Sequence, residues 1–383
     1  MLKRIIPYSR QTIDEADIKE VVKVLKSDFI TQGPKILEFE TAVARATKAR
    51  YAVAFSSGTA ALHGAYAAAG IGPGDDVIMS PLTFVATANM VVAIGGNVVF
   101  ADIDPKSGNL DPRDVERKIT HKTRAIVPID YAGLPADLEA FQRLAKKHRL
   151  VLIEDAAQAL GATYKKKPIG TQADMTMFSF HAVKSITTGE GGVVTTNNKT
   201  YYEKTLLFRT HGITKDHTKL VRKDEAAWYH EMHKLGFNYR LTDIQAALGV
   251  SQMRKLKMFI KMRTDLANRY TAMLRPLKHF ILPEKFPDRT SAWHLYVVRV
   301  VSRKKNARDF AFNALRNSGV GVQVHYIPVY EHPFYKRLGY KSGTCPHAEA
   351  FSAAAISLPQ YPMLSLGDQD KVISILKKID KIL

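Results

Sequence analysis

Residues 125–155 read AIVPIDYAGLPADLEAFQRLAKKHRLVLIED, and the fold turns on them. Ala125 to Ile129 and Val151 to Glu154 are apolar runs of strand length, while Leu138 to His148 between them carries a helical pattern. A strand, a crossover helix and a second strand make the unit from which parallel sheets are built. Outward from this unit the pattern repeats. Further buried strands are expected at Tyr51 to Phe55, Asp76 to Met79, Asn97 to Ala101, Met175 to Phe180 and Val193 to Thr196. Segments long enough for crossover helices separate the first five strands, so residues 50–200 read as a mostly parallel α/β sheet.

The flanks read differently. Thr12-Ile13-Asp14-Glu15 reads as a capping box opening a helix with an apolar face of Ile18, Val21, Val22 and Leu25, a packing element. After Thr242 a helical pattern runs through Ile244, Ala247, Leu248, Met253 and Leu256 towards Met273, with no strong breaker before Pro276. A strand at Leu295 to Val301, a helix at Ala307 to Asn317, a strand at Gly321 to His325 and a last helix at Asp368 to Ile382 then describe a smaller α+β domain. The division expected is 1–255 and 256–383.

Composition narrows the function classes. A chain of 383 residues, 46% hydrophobic, buries a sizeable core and is no disordered tail. The lone Cys345 closes no intrachain disulfide, and no Cys/His cluster has zinc-site spacing, so no metal is expected and a reducing cytoplasm is the natural compartment. The start, Met1 to Pro7, has Lys3 and Arg4 but no apolar leader behind them, and no run approaches the roughly 18 apolar residues of a membrane span. Lys and Arg outnumber Asp and Glu, 56 to 36, giving +20. Such a field attracts polyanions, yet the cations are scattered, as in Arg254-Lys255-Leu256-Lys257, with no basic tail and no aromatic-interleaved RNA motif. A solvated basic surface that favours a small anionic substrate is expected, with neither nucleic acid nor membrane as partner.

Four features in the large domain could carry chemistry. Ser56-Ser57-Gly58-Thr59-Ala60-Ala61-Leu62 follows a strand and opens a helix, so free N–H groups and hydroxyls converge where an anion is favoured, although an ordinary N-cap reads the same way. Asp155 ends an apolar strand, where ligands of parallel sheets sit, and could keep a heteroaromatic nitrogen protonated; it could equally cap a helix. Lys184 stands between the apolar Phe178-Ser179-Phe180 and the turn Gly189-Glu190-Gly191-Gly192, a setting that lowers an amine's pKa and makes it nucleophilic. By contrast, Lys165-Lys166-Lys167 before Pro168 reads as a solvated hairpin tip. Asn238-Tyr239-Arg240-Leu241-Thr242-Asp243 leads into the long helix with an amide and a guanidinium that could reach an anion; alone it is a capped helix start.

Taken together these residues resemble the DegT/DnrJ/StrS family of pyridoxal-phosphate sugar aminotransferases, over almost the whole chain. The likeness rests on Ser57-Gly58-Thr59-Ala60-Ala61, Pro81-Leu82-Thr83-Phe84, Glu154-Asp155-Ala156-Ala157-Gln158, Phe178-Ser179-Phe180 with Lys184, Glu190-Gly191-Gly192 and Asn238-Tyr239-Arg240. Asp130-Tyr131-Ala132-Gly133, the stretch His181 to Thr188 and the stretch Gln323 to Tyr330 are similar to the branch of the family that serves pseudaminic acid biosynthesis. That branch aminates C4 of a UDP-linked 4-keto-6-deoxy-N-acetylhexosamine.

The resemblance implies the aspartate aminotransferase fold (fold type I): a large pyridoxal 5'-phosphate-binding domain with a mostly parallel sheet and a smaller C-terminal α+β domain. It makes Lys184 the Schiff-base lysine and proton carrier, and Asp155 the partner of the pyridine nitrogen. Phe84 is expected to stack on the ring and Gln158 to bond near its phenolic oxygen, with Ser57, Gly58, Thr59 and Ser179 on the phosphate. Asn238 would reach the cofactor of a neighbouring subunit, implying a homodimer with shared active sites. The nucleotide-sugar substrate would draw on Tyr8, on Asp28, Phe29, Ile30 and Thr31, and on Gln323, Val324, His325 and Tyr326, with glutamate as amino donor. His181 reads as a supporting or nucleotide contact rather than the base, and 213–234 as a lid or a subunit contact. Amination of another nucleotide-linked keto sugar is the alternative within the family. Related sugar dehydratases carry histidine where Lys184 stands, which argues against that chemistry, and a regulator that uses the basic surface without catalysis is the reading outside it.

Overall fold

A seven-stranded sheet organises the first two hundred residues of the chain, which a computed structural model describes over residues 5–383. Met1 to Arg4, part of the start read above for a leader, lie outside the described residues. The strands are β1 (Tyr51–Phe55), β2 (Asp76–Met79), β3 (Asn97–Phe100), β4 (Thr123–Val127), β5 (Val151–Asp155), β6 (Met175–Ser179) and β7 (Gly192–Thr196). Their order in space is β1-β7-β6-β5-β4-β2-β3. Every neighbouring pair from β3 to β6 is parallel, and only β7 runs against the rest. The expected strands are present with ends moved by up to two residues, and the crossover helix is Leu138–His148 as expected.

Both faces of the sheet are covered, as the unbroken apolar runs require. One face packs on the helix Gly58–Ala69, which is buried nearly all round. The other packs on Leu138–His148 and on the helix Pro34–Thr47 through Phe39 and Val43. A smaller sheet of Phe280–Ile281 (β8), Tyr296–Val300 (β9) and Ala355–Leu358 (β10) forms a third core with the helices Leu256–Leu274, Ala307–Asn317 and Leu366–Ile382. Ile6 joins this core and pairs with Val320, so the chain's beginning is stitched to its last third.

Several expectations are corrected. The first helix, Glu15–Leu25, is capped by Asp14 in a box with Asp17, not by Thr12. Its buried side is Asp17 and Val24, while Ile18, Val22 and Leu25 face solvent. The long helical pattern after Thr242 is two helices, Asp243–Met253 and Leu256–Leu274. The break carries no Gly or Pro; Lys255 turns out to meet Asp17 at 2.8 Å and Asp14 at 2.5 Å, and its N–H bonds back to the Gln252 carbonyl. Gly321 to His325 alternates like a strand yet makes only isolated bridges, because no neighbouring segment stays alongside it. Lys165 and Lys166 do form the tip of a two-residue hairpin, both with positive φ.

Candidate active site

The sheet gathers the chemistry at the carboxyl ends of its strands. Phe55, Gly192 and Ser179 share one register row across β1, β7 and β6, which sets the start of the helix Gly58–Ala69 beside Ser179. The approach is close. A Cβ on Gly58 would stand a tight 3.3 Å from Ser179 Oγ, and one on Gly192 would stand 2.4 Å from the Ser57 carbonyl, so the backbone of 57–58 meets β7 here only because residue 192 is glycine. Ser57 caps the helix by accepting from the Ala60 N–H at 3.1 Å, and no acidic residue occupies the first turn. The result is a cup of N–H groups and the hydroxyls of Ser57, Thr59 and Ser179 at the positive end of a helix, which suits a phosphate.

Asp155, at the end of β5, is buried. Its Oδ2 accepts from Thr87 Oγ1 at 2.6 Å and its Oδ1 from the Ala157 N–H at 3.1 Å. Burial raises its pKa, while the Thr87 and Ala157 bonds and the charge of Lys184 pull the other way. A cationic ring nitrogen placed there would complete its compensation. Thr87, in turn, is held by Thr83 Oγ1 at 3.1 Å, and its carbonyl accepts from Tyr66 Oη at 3.0 Å.

Lys184 follows β6 in a tight turn whose N–H bonds to the His181 carbonyl at 3.0 Å. Among the described residues its ammonium has no hydrogen-bond or ion-pair partner, and burial lowers its pKa to about 8 despite the pull of Asp155. An unpaired amine whose pKa is lowered towards the neutral range, facing a buried carboxylate and an anion cup, matches the three points at which pyridoxal phosphate is held.

A further wall joins the 325–326 segment to residues from the first half of the chain. Gln158 accepts from the Ala132 N–H and donates to Tyr326 Oη, both at 2.7 Å. His325 bonds Ser357 Oγ through Nδ1 at 2.8 Å, and its carbonyl accepts from Tyr131 Oη. Its ring lies 5.8 Å from that of Tyr8, and the Tyr326 ring 6.4 Å from that of Phe84. Burial, reinforced by Lys184, lowers the His325 pKa to about 4, so it is neutral at physiological pH. Gln323 is exposed and Val324 half-buried, both on the approach to His325.

The remaining expected residues stand apart. Asp28, Phe29, Ile30 and Thr31 are exposed and run beside the start of the helix Asp243–Met253, where Thr31 pairs with Thr242. Asn238 is exposed and pairs with Thr210 through its backbone, and among the described residues its side chain has no partner. Among the described residues neither group touches Lys184 directly, but the Tyr239 carbonyl accepts from the Ser56 N–H at 2.8 Å, and Gln245 reaches the Glu190 carbonyl at 2.9 Å. Both groups therefore flank the cup and the glycine turn. His181 is exposed, 3.9 Å from Glu190.

Three residues around the site belong to none of the motifs quoted above. Thr87 holds Asp155; Arg263, fully buried, binds the carbonyls of Val183 and Lys184; and His294, fully buried, senses the charges of Lys184 and Arg263. Thr87 lies three residues beyond Phe84 and was the one within reach of a local pattern. Arg263 and His294 arrive from distant segments.

Known proteins agree with this geometry. The profile of the DegT/DnrJ/EryC1/StrS aminotransferase family matches residues 11–377. The spore coat polysaccharide biosynthesis protein SpsC of Bacillus subtilis is 40% identical, covering 98% of this chain and 97% of its own. The UDP-4-amino-4,6-dideoxy-N-acetyl-beta-L-altrosamine transaminase of Campylobacter jejuni is 38% identical, covering 98% and 99%. The solved structure of Helicobacter pylori PseC, an aminotransferase involved in pseudaminic acid biosynthesis, superposes with a TM-score of 0.93 at 34% identity, covering 99% of this chain and 100% of that one. With the sheet, the anion cup and the unpaired lysine already in place, the chain belongs to the DegT/DnrJ/EryC1/StrS aminotransferase family and is a pyridoxal-phosphate-dependent sugar aminotransferase.

Proposed function

We propose that the chain transfers an amino group from glutamate to C4 of a UDP-linked 4-keto-6-deoxy-N-acetylhexosamine, in a pathway of the pseudaminic acid kind. The observation that carries this is full-length similarity to a transaminase named for that product, together with the Gln158–Tyr326–His325 wall facing Lys184. Bound pyridoxal phosphate supplies the electron sink that lets nitrogen pass from an amino acid to a keto sugar. The phosphate would be held by the N–H groups and hydroxyls of Ser57, Gly58, Thr59 and Ser179, and the Asp155 carboxylate would keep the proton on the ring nitrogen. Lys184 Nζ, free to gain and lose a proton near neutral pH, carries protons at the reacting carbon. Phe84 covers the ring, and Tyr8, His325 and Tyr326 line the sugar's side.

Asn238 and Asp28 to Thr31 complete the site across a homodimer in this reading; their exposure, and an Asn238 side chain without a partner among the described residues, support it. The chain works as two lobes, 1–255 and 256–383, in the cytoplasm. The test is the visible spectrum of the purified protein, before and after glutamate and then the UDP-4-keto sugar. Bleaching of the cofactor band by glutamate and its return with this sugar support the proposal. A band that glutamate bleaches and this sugar fails to restore moves the substrate to another nucleotide-linked keto sugar, in line with the SpsC likeness.

A further inference from the structure

Arg263, on the helix Leu256–Leu274, is among the largest fully buried side chains of the molecule, and among the described residues no carboxylate pairs with it. Burial accordingly lowers its pKa to about 10. Its guanidinium is spent on main-chain carbonyls of three segments. Nη1 donates to Gln360 at 2.7 Å, His294 at 3.3 Å and Trp293 at 3.5 Å, and Nη2 to Lys184 at 3.3 Å and Val183 at 3.5 Å. The clamp is closed from behind, because Gln360 Nε2 donates to the carbonyl of Arg263 itself at 2.7 Å.

A buried cation without a counter-ion is costly, and an apolar side chain of similar volume would fill the space without that penalty. The charge is therefore explained by what the carbonyls hold. One pair is the backbone of Lys184 and the residue before it. The others are Trp293, whose φ of +49° is rare for a non-glycine residue, and the start of β9 that follows His294. A planar fork with five donors can span three segments at fixed angles, which a flexible ammonium cannot.

We infer that Arg263 is a positioning residue for Lys184: it ties the lysine's backbone to the 293–294 and 360 segments and so sets where the amine stands. The inference rests on the proposed role of Lys184. Its test uses full-length holoenzyme with Arg263→Gln and Arg263→Lys. First, borohydride trapping and peptide mass mapping locate the cofactor on the wild-type chain. A label away from Lys184 overturns the proposed role of the lysine and this inference with it. With the label on Lys184, Arg263→Gln is expected to lose about 10²-fold in kcat, and Arg263→Lys about tenfold, while KM for glutamate stays within about twofold. The pH midpoint of the bound cofactor's visible absorbance is expected to move in both. If Arg263→Gln does not fold, Arg263→Lys, which keeps the cation but not the fork, decides alone. A variant that melts earlier as apoprotein yet keeps wild-type kcat and the wild-type absorbance midpoint makes Arg263 a packing residue and overturns the inference by itself.

Discussion

Two helices of this chain begin in nearly the same way and do different work. Gly58–Ala69 opens behind Ser57, and Asp243–Met253 opens behind Thr242, each hydroxyl accepting from the N–H three residues on. At Thr242 the chain satisfies itself: Gln245 Oε1 accepts from the Thr242 N–H at 3.1 Å, and Asp243 takes the N–H groups of Gly33 and Lys35 at 2.7 and 2.9 Å. At Ser57 there is no reciprocal side chain and no acid, and glycines at 58 and 192 let three strand ends crowd together. A filled helix start is a structural joint, whereas an unfilled one at a sheet edge is a site.

That contrast can be broken in order of effect. Lys184→Ala should reduce turnover by about 10³-fold or more while equilibrium dialysis still finds cofactor held at the Ser57 cup. Turnover near the wild-type rate would remove the lysine from the chemistry. Ser57→Asp should weaken cofactor binding by about 10²-fold, because a carboxylate then faces the phosphate, and Thr242→Asp should leave it within about twofold. Equal losses in the two variants would erase the difference between the helix starts.

A pH profile comes next. Burial lowers the Lys184 amine to about 8, so the reactive neutral form accumulates as pH rises towards that value and saturates above it. The rate at which apoprotein takes up pyridoxal phosphate, followed by absorbance, should climb about tenfold per unit below about 8 and then flatten. A climb that continues into the ordinary lysine range would mean the amine is not desolvated. Thr87→Val removes a charge-assisted bond to Asp155 of about 2 kcal/mol and should slow turnover roughly tenfold, measured at saturating cofactor. The smallest effect is expected for Thr242→Ala, about 1 kcal/mol of stability by urea unfolding with cofactor affinity unchanged. A loss of affinity there would give that helix start a share in the site.

How far the sequence could be read follows from the range of each interaction. Lys184, Asp155 and the Ser57 to Thr59 turn stand out because each is a change of residue type at the end of an apolar run, a local pattern. The strand expected at Gly321 to His325 failed for want of neighbours, since alternation says which side chains share a face but not whether a partner strand exists. The break between Met253 and Leu256 was invisible for a related reason, because Lys255 answers to Asp14 and Asp17, about 240 residues away in the chain. Arg263 and His294 belong to the same class: their meaning lies in carbonyls and charges brought from elsewhere.

By itself, then, the sequence determined the period and length of each apolar run, hence the parallel sheet with its crossover helices, and the residue types set at the strand ends. Tertiary structure alone decided which capped helix start stays open, which segments stay exposed beside it, and which buried arginine holds the lysine's backbone. Periodicity acts between near neighbours and survives in one dimension. Desolvation, hydrogen-bond satisfaction and close backbone approach depend on every group within a few ångströms in three.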